Sequence, residues 1–467
     1  MAKFSPFAVI SILGLSSWSG AGQAAADDVA SLRAELASMR AEYDARVQAL
    51  EARIGQLESA GALAAATPPP APPPAPSQAP SARGGGGASA FNPAISMILA
   101  GNYASLSEDP ATYRVAGFIP PPSGTGPGER SFNLGESELT VAANVDPYFF
   151  ANVTAALHAD DTVSVEEAYF KTLALSHGFT LKGGRFLSAV GYLNEIHSHA
   201  WDFVDQPLVY QVMFDGQLAQ DGAQLRWVAP TDTFLEFGVE TGNGGRFPGT
   251  HRNVNGLNGS AAFAHLGGDV GDSTSWRLGL SGLDERAADR SYEDFDQSGA
   301  TVDNAFTGKS RTWMLDATLK WAPHGDPTQH QLKLQGEYLH RTEDGQLAFD
   351  TFGSNLAGAY RSAQSGWYLQ GVYEFMPRWR AGLRYDSLDS GTPDIGLVTA
   401  GLLPRAAFPL LASASPDRTT VMLDWSLSEF SRFRAQFAWD QARAQQRDQQ
   451  LLLQYIFAIG AHGAHKF

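Results

Sequence analysis

The chain has 467 residues, of which 49 are Asp or Glu and 33 are Lys or Arg, and it contains no Cys. A net charge of −16 argues against nucleic-acid binding, which needs a basic surface, and the lack of Cys excludes disulfide scaffolds, Cys-ligated zinc and Cys catalysis. No segment after residue 26 approaches 18 consecutive apolar residues, which excludes membrane-spanning helices. A membrane β-barrel is not excluded, because its strands are apolar only at every second residue.

Residues 1–26 have the pattern of a signal peptide. Lys3 gives a positive start, Phe7–Leu15 is a short apolar run, and Ala24–Ala26 offers a small-residue cleavage site. The alternative is a buried helix, since nine apolar residues are too few to span a bilayer. We therefore expect an exported protein.

Residues 27–60 are predicted to form a coiled-coil helix. Apolar residues recur at spacings of three and four with one stutter. They are Leu32, Leu36, Met39, Tyr43, Val47, Leu50, Ile54 and Leu57. Self-association would bury this stripe, and the alternative is a single helix lying on another surface; composition does not distinguish a dimer from a trimer. Residues 61–90 are rich in Pro and Gly, which predicts a linker.

Residues 91–467 alternate between apolar and polar side chains with the two-residue period of β-strands. In Thr312–Trp321 the apolar face begins at Trp313 and ends at Trp321. Eight residues span about 26 Å along a strand. A tilt of about 40° reduces this to about 20 Å, close to the apolar band of a membrane barrel. The alternatives are a large β-sandwich or a β-helix.

The breaks between these runs predict the strand number. Seven short turns alternate with eight mostly longer polar stretches, the third of which, loop 3, is predicted at about 188–221. The fold class is therefore an all-β membrane protein, a sixteen-stranded antiparallel transmembrane β-barrel with an N-terminal coiled-coil helix. Short turns on one side place both termini, and the coil, in the periplasm.

The barrel region resembles Gram-negative outer-membrane porins. Leu181–Phe186 leading to Trp201–Leu208 is similar to the strand and constriction loop of phosphate-selective porins, although loop 3 here is acidic rather than lysine-rich. The last strand resembles an outer-membrane assembly signal that contains Tyr455, Phe457 and Phe467. The resemblance implies a homotrimer in outer-membrane lipid, assembled by the barrel-assembly machinery, with loop 3 folded inward. A further hypothesis has the coil contact peptidoglycan.

Two groups of charged residues are predicted to line the lumen. Arg facing lipid at mid-membrane costs about 2–4 kcal/mol, so the basic faces of the strands must point inward. These pore-lining basic residues are Lys320, Lys333, Arg380, Arg384, Arg432 and Arg434. The constriction loop supplies Glu195, His197, His199, Asp202 and Asp205. The two groups either face each other across a narrow waist or pair and brace the loop, and both can hold together.

No enzyme motif is complete, so no catalytic residue and no cofactor is predicted. Glu195, His197 and His199 would face one way in an extended segment, as a metal site needs, but His in a surface loop is the simpler interpretation. The predicted function is a porin that admits small hydrophilic solutes or ions by passive diffusion. The alternative is a receptor of the TonB-dependent type or an outer-membrane protein for metal (zinc) uptake.

Overall fold

A computed structural model describes residues 93–122, 126–251 and 253–460. The predicted signal peptide (1–26), coiled coil (27–60), linker (61–90) and the predicted terminal aromatic Phe467 lie outside the described residues.

Sixteen long strands follow one another through the described residues, and we number them β1 to β16 in chain order. Their bounds are β1 Ala94–Leu106, β2 Ser131–Leu134 and Ser137–Asn144 (two segments), β3 Phe149–Leu157, β4 Val163–Thr172, β5 Phe179–Leu187, β6 Ala219–Val228, β7 Phe234–Gly242, β8 Gly259–Val270, β9 Thr274–Phe295, β10 Thr301–Trp321, β11 Gln331–Phe349, β12 Leu356–Met376, β13 Trp379–Asp389, β14 Asp417–Ser428, β15 Ser431–Asp440 and β16 Asp448–Gly460. A two-residue segment, Asp394–Ile395, pairs with β12 and is not counted.

The helices of the described region are short. They are α1 Leu208–Phe214, α2 Gly396–Thr399 and the 3-10 turns Pro110–Thr112, Ser198–Ala200, Pro323–Gly325, Arg405–Ala407 and Pro409–Leu411. Within the same residues, no helix is both long enough and apolar enough to cross a membrane.

The strands form a closed antiparallel barrel. Each strand pairs with its neighbours in sequence, and β16 pairs with β1 from Ser96↔Gly460 to Leu106↔Gln450. Both segments of β2 pair with β1. Within the described residues, every strand therefore has a paired neighbour on both sides, and the sheet is continuous around the barrel. The predicted sixteen-stranded antiparallel barrel is confirmed.

Short and long connections alternate, which sorts them to opposite ends of the barrel. One end has tight turns such as 145–148 and 377–378, and the other has the long segments 107–130, 188–218 and 390–416.

Two predicted loops are mostly strand. The outward side chains of 283–311 and 342–365 are largely polar, as in a loop, but β9 to β12 continue through most of these segments in paired register, and Tyr292, Phe306 and Leu347 are buried on the inner face. Backbone pairing satisfies the peptide groups whatever the side chains are, so a strand whose outward side chains are polar lacks the lipid-facing apolar pattern that identifies the other strands.

The two faces of the barrel wall differ in composition. On β10 the side chains of Trp313 and Leu315 point outward and are 42% and 49% exposed, whereas Met314 and Asp316 point inward and are buried. The outer face is therefore apolar and the inner face mixed, as the alternation predicts.

The barrel interior contains an apolar core as well as polar groups, which the expectation of a wet lumen did not include. Loop 3, here residues 188–218 because β6 begins at Ala219, brings α1 into the barrel with all seven of its residues buried. Its side chains other than Gln211 form one cluster with Met314, Leu339, Tyr368 and Leu388 of the inner wall. Burying an apolar helix against inward apolar positions stabilises the inward conformation of the loop.

Candidate functional site: loop 3 across the barrel interior

The carboxylates of loop 3 contact basic residues of the opposite wall directly. Asp202 Oδ2 lies 2.9 Å from Lys333 Nζ, and Asp202 Oδ1 lies 3.1 Å from Arg380 Nη1. Asp205 lies 2.9 Å from Arg384 and 2.6 Å from Arg418. Of the two alternatives from the sequence, a waist or a brace, these contacts correspond to the brace.

Further arginines bind the backbone of the loop. Arg432 Nη2 donates to the His199 carbonyl at 2.6 Å, and Arg434 Nη2 donates to the Trp201 carbonyl at 2.9 Å. We define the basic wall by its inward side chains. It comprises Lys333 on β11, Arg380 and Arg384 on β13, Arg418 on β14, and Arg432 and Arg434 on β15.

Three residues of this network escaped the sequence prediction. Arg418 was not singled out, nor were Asp386 and Asp424, which bind Arg384 and Arg434 at 3.0 and 2.7 Å. All three occupy the same inward parity as their partners, so following the alternation through β13 and β14 would have found them.

The basic wall keeps the loop carboxylates ionised. Burial disfavours the charged form of Asp205, but the charges of Arg418 and Arg384 outweigh it and lower its pKa to about 2. Burial likewise opposes ionisation of Asp202, and Lys333 and Arg380 overcome it, so its pKa lies well below the usual range. Both contacts are therefore full ion pairs near neutral pH.

The ends of α1 are matched by charge. The Leu208 backbone N–H donates to Asp386 Oδ1 at 2.9 Å, and Arg341 Nη1 donates to the Val212 carbonyl at 3.1 Å. A carboxylate at the start of a helix and a guanidinium at its end both suit the helix dipole. These bonds fix how the helix is oriented inside the barrel.

Carboxylates on other positions of the barrel wall also hold loop 3. Glu240 accepts from Ser188 Oγ at 2.5 Å and from the Ala189 backbone N–H at 2.9 Å, where the loop begins. Glu337 accepts from the Leu193 N–H at 2.9 Å and from the Tyr210 hydroxyl at 2.8 Å. We define the acidic wall as Glu138 on β2, Glu166 and Glu167 on β4, and Glu240 on β7.

The predicted trio Glu195, His197 and His199 does not stay together. Ser198–Ala200 form a 3-10 turn, so the extended geometry that would align the three side chains is absent. Glu195 forms an ion pair with Arg226 on β6. The two His side chains instead face the acidic wall.

His197 is surrounded by carboxylates of the acidic wall. Its Nδ1 lies 3.2 Å from Glu138 Oε2 and 3.2 Å from Glu166 Oε2, and its Nε2 lies 3.2 Å from Glu167 Oε2. His199 Nδ1 lies 2.8 Å from Glu138 Oε1. Burial alone would lower the pKa of His197, but hydrogen bonds to the three carboxylates raise it well above its usual value.

Two cavities lie on the short-turn side of loop 3. One, of about 310 Å³, is lined by Lys320, Lys333, Arg380 and Asp202. The other, of about 420 Å³, includes Arg432 and turn residues such as Pro377. Lys320 thus lies at a cavity rather than on the loop.

The predicted assembly residues within the described part of the chain lie on the outside of the barrel. Tyr455 and Phe457, on β16, are both partly exposed.

The folds that this chain resembles are those of outer-membrane proteins. The trimer form of OmpT, an outer membrane protein of Vibrio cholerae, matches with 12% identity over 79% of this chain and 99% of that one, at a TM-score of 0.47. An anion-selective porin from Comamonas acidovorans gives 11% identity, 79% and 99% coverage and the same TM-score. The outer membrane channel DcaP of Acinetobacter baumannii is 11% identical over 79% of this chain and 97% of that one, at a TM-score of 0.45.

Sequence comparison gives a closer relative. No protein-family model matches the chain. An uncharacterised protein of Aquifex aeolicus (strain VF5) is 31% identical over 362 residues, which are 73% of this chain and 71% of that protein. The chain belongs to the same family as this protein.

Proposed function

We propose that the protein is a passive outer-membrane channel for small hydrophilic solutes, narrowed by loop 3. The observation that carries this proposal is a closed barrel, apolar outside, whose own loop is held across the interior by buried ion pairs. An apolar outer face suits lipid, and a closed ladder leaves no unpaired backbone there. A loop held inside the barrel by ion pairs would narrow the lumen without closing it.

The solute path that we propose passes the cavity at Lys320, Lys333 and Arg380. This cavity has three cationic side chains against the carboxylates of Asp202 and Glu374. The excess of positive charge favours anions at this point, because fixed charge at a constriction selects the opposite sign. The apolar cluster around α1 leaves the polar side of the interior as the route.

The further parts of the proposal follow the resemblance to porins. They are a homotrimer, an N-terminal coil in the periplasm, and insertion by the barrel-assembly machinery through the terminal strand. An exposed apolar outer face is compatible with both lipid and neighbouring barrels.

The alternative of an energised receptor is less well supported. Barrels of that kind have 22 strands and a plug in the lumen, whereas sixteen strands close the barrel formed by the described residues, and loop 3 occupies its interior.

Planar-bilayer recording tests the channel. The purified protein should give stable open events in groups of three equal steps, and a reversal potential that favours anions. A barrel that inserts and remains silent would contradict the proposal.

Arg380→Ala tests the path. Loss of this partly exposed cation should shift the reversal potential toward cations, because it removes one of the three positive charges at the cavity. Arg361→Ala is the matched control, since Arg361 is highly exposed and forms an ion pair with Asp344. An equal shift in both variants would show that Arg380 does not line the path.

A further inference from the structure

The place where loop 3 meets β2 and β4 has the donor set of a metal site. Glu138, Glu166 and His197 come from three separate segments of the chain, and one ligand atom of each lies within 4.8 Å of the other two. The three residues are buried or half-buried inside the barrel rather than on its outer surface.

A β-bulge brings the third carboxylate to this point. On β4, Glu167 pairs with Thr154 and Val165 pairs with Ala155, so Glu166 is the extra residue between them. Regular alternation would turn one of two successive side chains outward, but Glu166 and Glu167 are only 12% and 11% exposed and both reach His197. Bulges are enriched beside functional sites because they re-aim a side chain in this way.

The position next to Nδ1 of His197, between two carboxylate oxygens, suits a cation. Nε2–H donates to Glu167, and a carboxylate on the distal nitrogen is the usual partner of a metal-ligating His. Nδ1 then faces two carboxylate oxygens at 3.2 Å, although it can carry at most one hydrogen.

The spacing of His197 Nδ1 from each carboxylate oxygen is close to that of tetrahedral coordination. Bonds of about 2.0–2.2 Å to zinc at tetrahedral angles place ligand atoms about 3.4 Å apart. Both Nδ1–oxygen distances are 3.2 Å. One imidazole with carboxylates is a donor set that zinc and similar divalent ions accept.

We propose that Glu138, Glu166 and His197 bind a divalent transition-metal ion of the zinc class, which fastens loop 3 to the acidic wall. Glu167 orients His197 through Nε2, and His199 orients Glu138 through its second oxygen. The ion replaces the hydrogen between Nδ1 and the two carboxylates, and a water molecule completes the coordination. The site does not depend on whether the barrel conducts.

Calorimetric titration of the full, chelator-treated protein in detergent with Zn²⁺ tests the site, and Co²⁺ absorption in the visible range reports the geometry. We expect one ion per chain and a tetrahedral Co²⁺ spectrum. Glu166→Gln should weaken Zn²⁺ binding by at least about a hundredfold, and Glu167→Gln by about ten- to a hundredfold, the usual cost of removing an outer partner.

His265→Gln is the matched control. His265 is also an inward histidine, paired with Glu236 at 3.7 Å and lying outside the proposed site, so His265→Gln should leave Zn²⁺ affinity unchanged. A difference in gel migration between heated and unheated protein establishes that each barrel is folded. If Glu166→Gln does not fold, the Zn²⁺ affinity of Glu167→Gln serves as the test of the proposal. Absence of Zn²⁺ binding by the parent protein, unchanged affinity in the Glu variants, or equal loss in His265→Gln would each overturn the proposal.

Discussion

The basic and acidic walls hold the same loop by opposite chemistry. On the basic wall, permanently charged guanidinium groups bind the carboxylates of Asp202 and Asp205 and backbone carbonyls of the loop. On the acidic wall, carboxylates receive backbone N–H groups at Ala189 and a histidine at position 197. Each wall meets the groups of the loop that complement it, so the loop has one orientation that satisfies both.

The two walls therefore differ in what would weaken their contacts with the loop. The five arginines of the basic wall remain charged at all accessible pH values, so their contacts change only when the partner carboxylates are protonated. The acidic wall depends on geometry, because a carboxylate that accepts a backbone N–H must be correctly placed.

The largest effect is expected from breaking the basic wall. Asp205→Ala leaves Arg384 and Arg418 without their shared loop carboxylate, and removing one partner of a buried ion pair typically costs about 3–5 kcal/mol. Urea unfolding of the folded barrel should show a loss of this size. A loss of unfolding free energy smaller than that expected for an exposed ion pair would mean that the ion pairs of Asp205 do not hold the loop.

A smaller effect is expected on the acidic wall. Glu240→Ala leaves the buried Ala189 N–H and the Ser188 hydroxyl without their acceptor, at a cost of about 1–3 kcal/mol. Faster protease cleavage within loop 3 and a lower urea midpoint should report it. Glu240→Gln is the matched control, since it keeps an acceptor oxygen and should be less destabilised than Glu240→Ala. If both variants lose the same stability, the negative charge of Glu240 rather than its hydrogen bonds is responsible.

Acid should weaken the basic wall in a defined window. The pKa of Asp205 is lowered from 3.8 to about 2, so its contribution to stability is complete above pH 3.8 and is lost as the pH falls toward about 2. The thermal midpoint of the parent should fall across this range, and that of Asp205→Asn should fall less. Parallel curves for the two proteins would contradict this assignment.

The smallest effect is expected away from both walls. Asp344 pairs with Arg361 at 2.7 Å, but both side chains are more than 70% exposed. Asp344→Ala should change the free energy of unfolding by about 0–1 kcal/mol, as exposed pairs do, measured in the same urea series. A loss as large as that of Asp205→Ala would remove the distinction between buried and exposed pairs.

The sequence alone was sufficient to predict the sixteen-stranded barrel. A two-residue period can be recognised in one strand without knowing which strand pairs with it. Alternate side chains of Thr312–Trp321 face either the outside or the interior of the barrel wherever the strand lies in the sheet. The same parity placed Arg384 and Arg434 on the inner face. Where the outward side chains are polar, as at the outer ends of β9 and β10, the lipid-facing apolar pattern is absent and the strand ends were misplaced.

Only the tertiary structure decided what the inward residues contact. Asp205 and Arg418 are more than 200 residues apart, and Glu138, Glu166 and His197 lie on three segments that meet only when the barrel closes over loop 3. The bulge at Glu166 depends on the register between β3 and β4, and the position of α1 depends on an apolar cluster with residues from six strands. Alternation reports which way a side chain points, whereas the partner that it meets is set by barrel closure and the path of the loop.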